Sequence, residues 1–263
     1  MNRLQGKNVI ITGASGGIGA EIARLCAERK ANLVLLARSK DKLDALKLDL
    51  EQRFSVKVYV YQLDVADTDQ VEYVFKDILE RIGHVDVLVN NAGFGIFREA
   101  HAARLDEIKS MFDVNVVGLM AATLMVLPQM RERKSGHIIN IASQAGKLAT
   151  PKSSVYSATK HAVLGFSNSL RMELSDFHVF VTAVNPGPIS TNFFEIADEK
   201  GTYVKSVQRF MLDPKFVARK IVDSMLTPTR EINLPRWMNA GSVLYTLFPG
   251  MFERFGKRFF DRK

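Results

Sequence analysis

The chain has 263 residues, of which 47% are hydrophobic and 24% charged, and it carries a formal charge of +8 at pH 7. This composition excludes a disordered chain, and the length allows a large buried core without demanding a second domain, so residues 1–263 are expected to form one. The cations are scattered and no nucleic-acid recognition motif accompanies them, so the excess charge points to an anionic cofactor or a membrane surface.

Residues 1–7 are polar, without the shape of a signal peptide, and run into a strand-like segment at 8–12. Short apolar, β-rich runs then recur at 9–11, 32–36, 58–61, 85–89, 137–141, 179–184 and 231–234. Between them, apolar spacings of three and four predict helices near 17–29, 41–53, 68–82, 104–130, 154–176 and 213–226. Strands apolar throughout that alternate with helices imply βαβ crossovers and a doubly wound α/β fold, with a seven-stranded, mostly parallel sheet covered on both faces. Cys26, the only cysteine, falls among Ile22, Ala23 and Leu25 in a helical pattern and reads as a buried thiol in a reducing cytosol. The uncharged stretch 114–130 contains Asn115, Gly118 and Pro128 and is short for a span of about 20 apolar residues, so it reads as a buried helix.

The first strand ends in Thr12-Gly-Ala-Ser-Gly-Gly-Ile-Gly19 and a helix follows. Glycines there let the backbone turn tightly and approach a pyrophosphate, whose charge would face the helix N-terminus; a turn that only packs helix on strand is the alternative. The second strand ends in Leu36-Ala37-Arg38-Ser39-Lys40, with no acid to hold ribose hydroxyls. Ala37 removes that repulsion and Arg38 can pair in a fork with a 2′-phosphate, which favours NADP(H); an exposed arginine beside the next helix is the plain reading. Gly16, and not a basic residue, precedes Gly17, so Arg38 lacks a second cation and the preference is graded.

Tyr156-Ser-Ala-Thr-Lys160 places a phenol and an ammonium on one helix face, where the cation, joined by the nicotinamide's positive charge, is expected to favour the phenolate. Upstream, Ser143 follows the fifth strand, at the carboxyl edge where ligands bind in such sheets. Asn115 is a polar residue in an apolar helix and needs partners whatever its role. The five histidines show no metal-ligand spacing, so no metal is expected.

The glycine spacing, Asn90-Asn-Ala-Gly93 after the fourth strand, Asn185-Pro-Gly-Pro-Ile-Ser-Thr191 after the sixth, and Asn115, Ser143, Tyr156 and Lys160 in that order together resemble the classical short-chain dehydrogenase/reductase family over roughly residues 6–191. The resemblance implies hydride transfer between a nicotinamide and a carbonyl or secondary alcohol, with Tyr156 as acid/base, Ser143 on the substrate oxygen, Lys160 on Tyr156 and the ribose, and Asn115 in a water relay behind the lysine. It implies a cofactor site of Gly13, Ser15, Gly17, Ile18, Gly19, Arg38, Asp64, Val65, Asn91, Ala92, Gly93, Tyr156, Lys160, Pro186, Gly187, Ile189 and Thr191. Within this set Asp64 would meet the adenine, its alternative being a helix N-cap neighbour, and Thr191 the carboxamide.

A homodimer or homotetramer is implied too, built on helices 104–130 and 154–176, since Val116, Val117, Leu119, Met120, Leu124 and Met125 exceed one core-facing stripe. A non-catalytic sensor of NADP(H) is the rival reading; the presence of Tyr156 and Lys160 argues against it. Residues 192–212 form the substrate lid, where Phe193, Phe194, Ile196, Tyr203, Val207 and Met211, with Phe94 and Phe97, fit a hydrophobic ketone or acyl substrate or an ordinary packed lid. The tail, 236–263, carries Leu244, Phe248, Phe252, Phe255 and Phe259 at helical spacing beside a cationic excess. It reads first as a segment packed to wall the pocket, and second as an interfacial helix giving weak, salt-sensitive contact with anionic membranes, the setting of a membrane-surface lipid or acyl reductase.

Overall fold

A computed structural model describes residues 2–198, 201–250 and 254 of the chain. The β-rich runs become β1 (Asn8–Thr12), β2 (Asn32–Ala37), β3 (Val58–Gln62), β4 (Val87–Asn90), β5 (Gly136–Ile141), β6 (Val179–Pro186) and β7 (Glu231–Leu234). They lie in one sheet in the order β3-β2-β1-β4-β5-β6-β7, and every neighbouring pair is parallel. Every residue of β1, β4 and β5 is buried, which is why these strands carry no polar alternation.

Successive side chains of each strand serve opposite faces. Val9, Ile11, Leu33 and Leu35 join a core with Ile22 of α1 (Gly17–Glu28), Leu43 of α2 (Lys40–Phe54) and Ile221 of α9 (Pro214–Ser224). Ile10, Val34, Leu88 and Ile138 join the opposite core with Phe75 of α3 (Thr68–Ile82), Val126 of α5 (Leu119–Glu132) and Leu170 of α6 (Ser154–Glu173). Asp67 caps α3 by accepting from the Gln70 N–H at 2.9 Å, and Asp213 caps α9, with Pro214 at its first position, by accepting from the Lys215 N–H at 3.0 Å. Cys26 is fully buried and burial pushes its thiol up to about 12, leaving it inert at neutral pH.

One predicted helix is not continuous. The 104–130 segment resolves into α4 (Leu105–Phe112), a π-helical turn over Asp113–Gly118, and α5, which continues to Glu132. The cause is Asn115, whose side chain pairs with the backbone of the loop after β4, a coupling that favours a wider turn there. The stretch lies against the sheet through Ala122, Val126 and Met130, all fully buried. Over the carboxyl end of the sheet sit α7 (Phe193–Ala197) and α8 (Thr202–Val207), and after β7 comes α10 (Arg236–Leu247). Glu199 and Lys200 of the lid, and 251–253 and 255–263 of the tail, lie outside the described residues.

Candidate active site

The strand order reverses between β1 and β4, and a crevice at the carboxyl ends of those strands is where a parallel sheet takes its ligand. Two loops are tied together at that point. The Asn91 amide donates to the Thr12 and Gly13 carbonyls at 3.0 and 3.1 Å, and Thr12 Oγ1 accepts from the Asn91 and Ala92 N–H groups, each at 3.0 Å. Gly13 has φ +65°, and a Cβ there would stand 2.9 Å from both Ala92 Cα and Asn91 Nδ2. At Gly19 a Cβ would come within 2.6 Å of Asn91 Nδ2. These two glycines are therefore required by the closeness of the β1 and β4 loops.

The next part of the turn is open. Gly16 has nothing within 4 Å of a Cβ position, and Gly17, at φ +53°, meets only Thr191, at 3.5 Å and beyond. No side chain caps α1 and no acid stands in its first turn, so its leading N–H groups face the crevice unneutralised. Ser15 and Ile18 are half-buried beside them. Such a cradle fits a pyrophosphate. Arg38 is exposed directly after buried Ala37, with its backbone carbonyl held by Gln62 Nε2 at 3.0 Å.

Asp64 follows β3 and spends one carboxylate oxygen on the Ala66 N–H at 3.1 Å; the helix cap proper is Asp67. Val65 is buried, its carbonyl packed against Gly118 of the π turn. Across the crevice, Gly187 N donates to the Leu234 carbonyl at 2.6 Å, behind buried Pro186 and Ile189, while Thr191 leans over Gly17.

Beside this crevice the structure brings together Asn115, Ser143, Tyr156 and Lys160. Asn115 is fully buried; its Oδ1 accepts from the Phe94 N–H at 2.9 Å, and its Nδ2 donates to the Phe94 carbonyl at 2.8 Å and to Thr159 Oγ1 at 3.1 Å. Lys160, one turn after Tyr156 on α6, donates to the Ile141 carbonyl at 2.8 Å, and its Nζ lies 5.7 Å from the Tyr156 ring centroid. A Cβ at Gly93 would stand 3.0 Å from Asn115 Oδ1 and 3.6 Å from Lys160 Nζ, so this glycine gives the pair its room. Ser143 Oγ accepts from the Ala145 N–H at 3.1 Å, which fixes it beside the phenol.

Burial dominates and drives the Tyr156 phenol above its ordinary value; the Ser143 hydrogen bond pulls the other way and Tyr203 adds to the rise. Lys160, equally buried, is pushed down to about 8. The ammonium donates to the Ile141 carbonyl, and among the protein's own groups burial sets the direction at the phenol.

Aromatic rings close over Tyr156. Phe97 and Phe193 stand with centroids 5.8 and 5.7 Å from its ring, and Tyr203 lies 5.0 Å from Phe97. The Phe97 N–H donates to the Ala197 carbonyl at 2.9 Å, fastening the loop after β4 to α7. A Cβ at Gly95 would strike Tyr156 Cδ2 at 2.9 Å, so the loop reaches the ring only with glycine there. Thr191, Phe194, Val204, Met211 and Pro214, residues of the lid and its flanks, line an open pocket of about 620 Å³ that Ser143, Tyr156 and Lys160 do not border.

Sequence reasoning passed over Thr12, Thr159 and Gly95. The two threonines read as ordinary strand and helix residues, although Thr12 opens the glycine motif itself; Gly95, two positions after Gly93, was the visible sign that the loop runs close to something.

Comparison with known proteins agrees with this geometry. The sequence model of the short chain dehydrogenase family matches residues 7–201. An uncharacterized oxidoreductase of Staphylococcus saprophyticus is 36% identical over 84% of this chain and 90% of its own. A short-chain dehydrogenase/reductase of Burkholderia phymatum, solved with NAD, superposes with a TM-score of 0.86 at 25% identity over 94% of this chain and 95% of its own. A short-chain dehydrogenase of Sphingobium yanoikuyae, solved with NADPH, gives 0.81 at 27% identity over 93% and 95%. The sheet order, the crevice and the matched sequence lead to one conclusion: the chain belongs to the short-chain dehydrogenase/reductase family, a family of nicotinamide-dependent oxidoreductases.

Proposed function

We propose that this protein reduces an apolar carbonyl compound with NADPH, or oxidises the corresponding secondary alcohol with NADP, using Tyr156 as the acid/base. The observation that carries the reading is the meeting of Ser143, Tyr156 and Lys160 at the edge of a crevice whose glycine cradle fits a pyrophosphate. Gly13, Ser15, Gly17, Ile18 and Gly19 would hold the phosphates, Asp64, Val65 and Asn91 to Gly93 the adenosine side, and Pro186, Gly187, Ile189 and Thr191 the nicotinamide side. When bound, the cofactor supplies the hydride that the carbonyl carbon accepts, or takes one from the alcohol.

The protein handles the proton. Burial keeps Tyr156 protonated through neutral pH, the form a reduction consumes, and the phenol passes its proton to the substrate oxygen. Ser143 donates a hydrogen bond to that oxygen as charge develops on it. Lys160 would hold the ribose and restore the proton to Tyr156, whose backbone carbonyl accepts from Thr159 Oγ1, itself bonded to Asn115 Nδ2. Phe97, Phe193 and Tyr203 exclude water and select an apolar substrate. The relatives include NAD-bound and NADPH-bound proteins, so the preference for NADP(H) rests on Arg38, on Ala37 and on the missing acid between them and α2.

The test is turnover of aldehydes, ketones, diketones, β-ketoacyl thioesters and steroids with each cofactor. The reading expects NADPH oxidation with at least one apolar carbonyl and a lower KM for NADPH than for NADH. Tight NADPH binding without turnover across the panel would support the sensor alternative instead.

A further inference from the structure

Among the described residues, helix α10 is packed along one side only. Met238 Sδ stands 2.8 Å from where a Cβ of Gly187 would be, Asn239 Oδ1 accepts from Lys147 Nζ at 3.2 Å, and Ser242 is buried. The other side is bare: Trp237, Val243, Leu244 and Leu247 are 58%, 50%, 52% and 64% exposed, and Phe248 continues the face. Positions 237, 240, 244 and 247 follow at threes and fours, and 248 stands four after 244, which makes one stripe. From Trp237 to Phe252 no residue is charged. Phe210, half-exposed on the lid, sets its ring 5.8 Å from that of Trp237 and extends the apolar surface onto the lid.

Among the described residues, Arg236 and Arg209 stand exposed next to Trp237 and Phe210 in the chain, and Arg254 is exposed too. By sequence alone the last eleven residues are also basic, with Glu253 and Asp261 outnumbered by Arg254, Lys257, Arg258, Arg262 and Lys263. A second copy of the chain placed on this face would set two cationic segments against each other. An anionic headgroup layer neutralises them while the stripe enters the acyl boundary, with the indole at the interface.

We propose that the exposed face of α10 docks on an anionic lipid bilayer. Docking also brings the lid to the membrane, so the substrate is an amphiphilic carbonyl compound drawn from the lipid phase; this consequence rests on the oxidoreductase reading, whereas docking does not.

Trp237 is the chain's only tryptophan and reports directly on the contact. Mixed phosphatidylglycerol–phosphatidylcholine vesicles at low salt should shift its emission to the blue, and brominated acyl chains should quench it. High salt or pure phosphatidylcholine should weaken both effects, because the attraction is screened within about 8 Å at physiological ionic strength. Leu244→Glu with Leu247→Glu should bind vesicles roughly tenfold more weakly or worse while keeping turnover of a water-soluble ketone, since both side chains already face solvent. An unmoved emission on anionic vesicles at low salt would overturn the proposal. So would vesicle binding undiminished in the double variant, or self-association lost in that variant without any lipid binding by the parent, which would assign the face to a second copy. The quenching needs no variant and decides the matter if the double variant folds poorly. A protein that turns over no carbonyl and still shows the shift would refute the oxidoreductase reading alone.

Discussion

At Tyr156 two opposing influences meet, and burial is the larger. The i, i+4 spacing to Lys160 was legible in the sequence, because a helix places such residues on one face wherever it packs. The direction of the phenol's shift was not legible, because it depends on rings arriving from residues 97, 193 and 203, and on Lys160 turning to the Ile141 carbonyl. Two substitutions probe this scale. Arg38→Ala should raise KM for NADPH far more than for NADH, a loss of about 1.5–3 kcal/mol or roughly tenfold and more; equal effects on both would remove Arg38 from the phosphate. Asn115→Ala leaves the Phe94 N–H and carbonyl without their partner and should lower stability by about 1–3 kcal/mol in urea titrations, where an unchanged midpoint would contradict the role given to this side chain.

The elements themselves were largely legible: strands apolar throughout announce a sheet covered on both faces, and six helical patterns fall where helices stand. The break at Asp113–Gly118 was not, since Asn115 and Gly118 are each tolerated inside a helix and the cause is a bond to a distant loop. His137, in β5, shows a second consequence of tertiary packing. Its Nδ1 accepts from the Leu226 N–H at 2.9 Å, so Nε2 carries the proton to Thr182 Oγ1 at 2.8 Å, and Thr182 passes its own to the Thr229 carbonyl. Burial holds this imidazole neutral, with its pKa lowered from 6.5 to about 3. A depressed folded value means stability is complete above pH 6.5 and drains as pH falls from 6.5 toward 3, at up to about 1.4 kcal/mol per pH unit. Unfolding midpoints should fall across that window, and less steeply in His137→Gln; parallel slopes would sink the assignment.

For the molecule as a whole, the family likeness was readable because its landmarks are short and lie at strand ends, where the chain returns to one crevice. Which apolar surfaces stay bare was not readable, since pattern alone does not say which stripe the core takes. Of the apolar groups between 116 and 125, Val116 and Leu119 are buried whereas Val117 and Leu124 are 43% and 60% exposed. We expect a two-fold homo-oligomer over this face, visible as a dimer or tetramer mass at micromolar concentration, and a strictly monomeric mass would contradict it.

The central claim, that Tyr156 moves the proton, is tested most directly by comparing turnover and NADPH binding in Tyr156→Phe. Loss of the single hydroxyl should abolish reduction of any accepted ketone while the NADPH dissociation constant stays within a few-fold of the parent's, because the ring remains to pack against Phe97 and Phe193. Reduction at a rate close to the parent's would show that another group carries the proton.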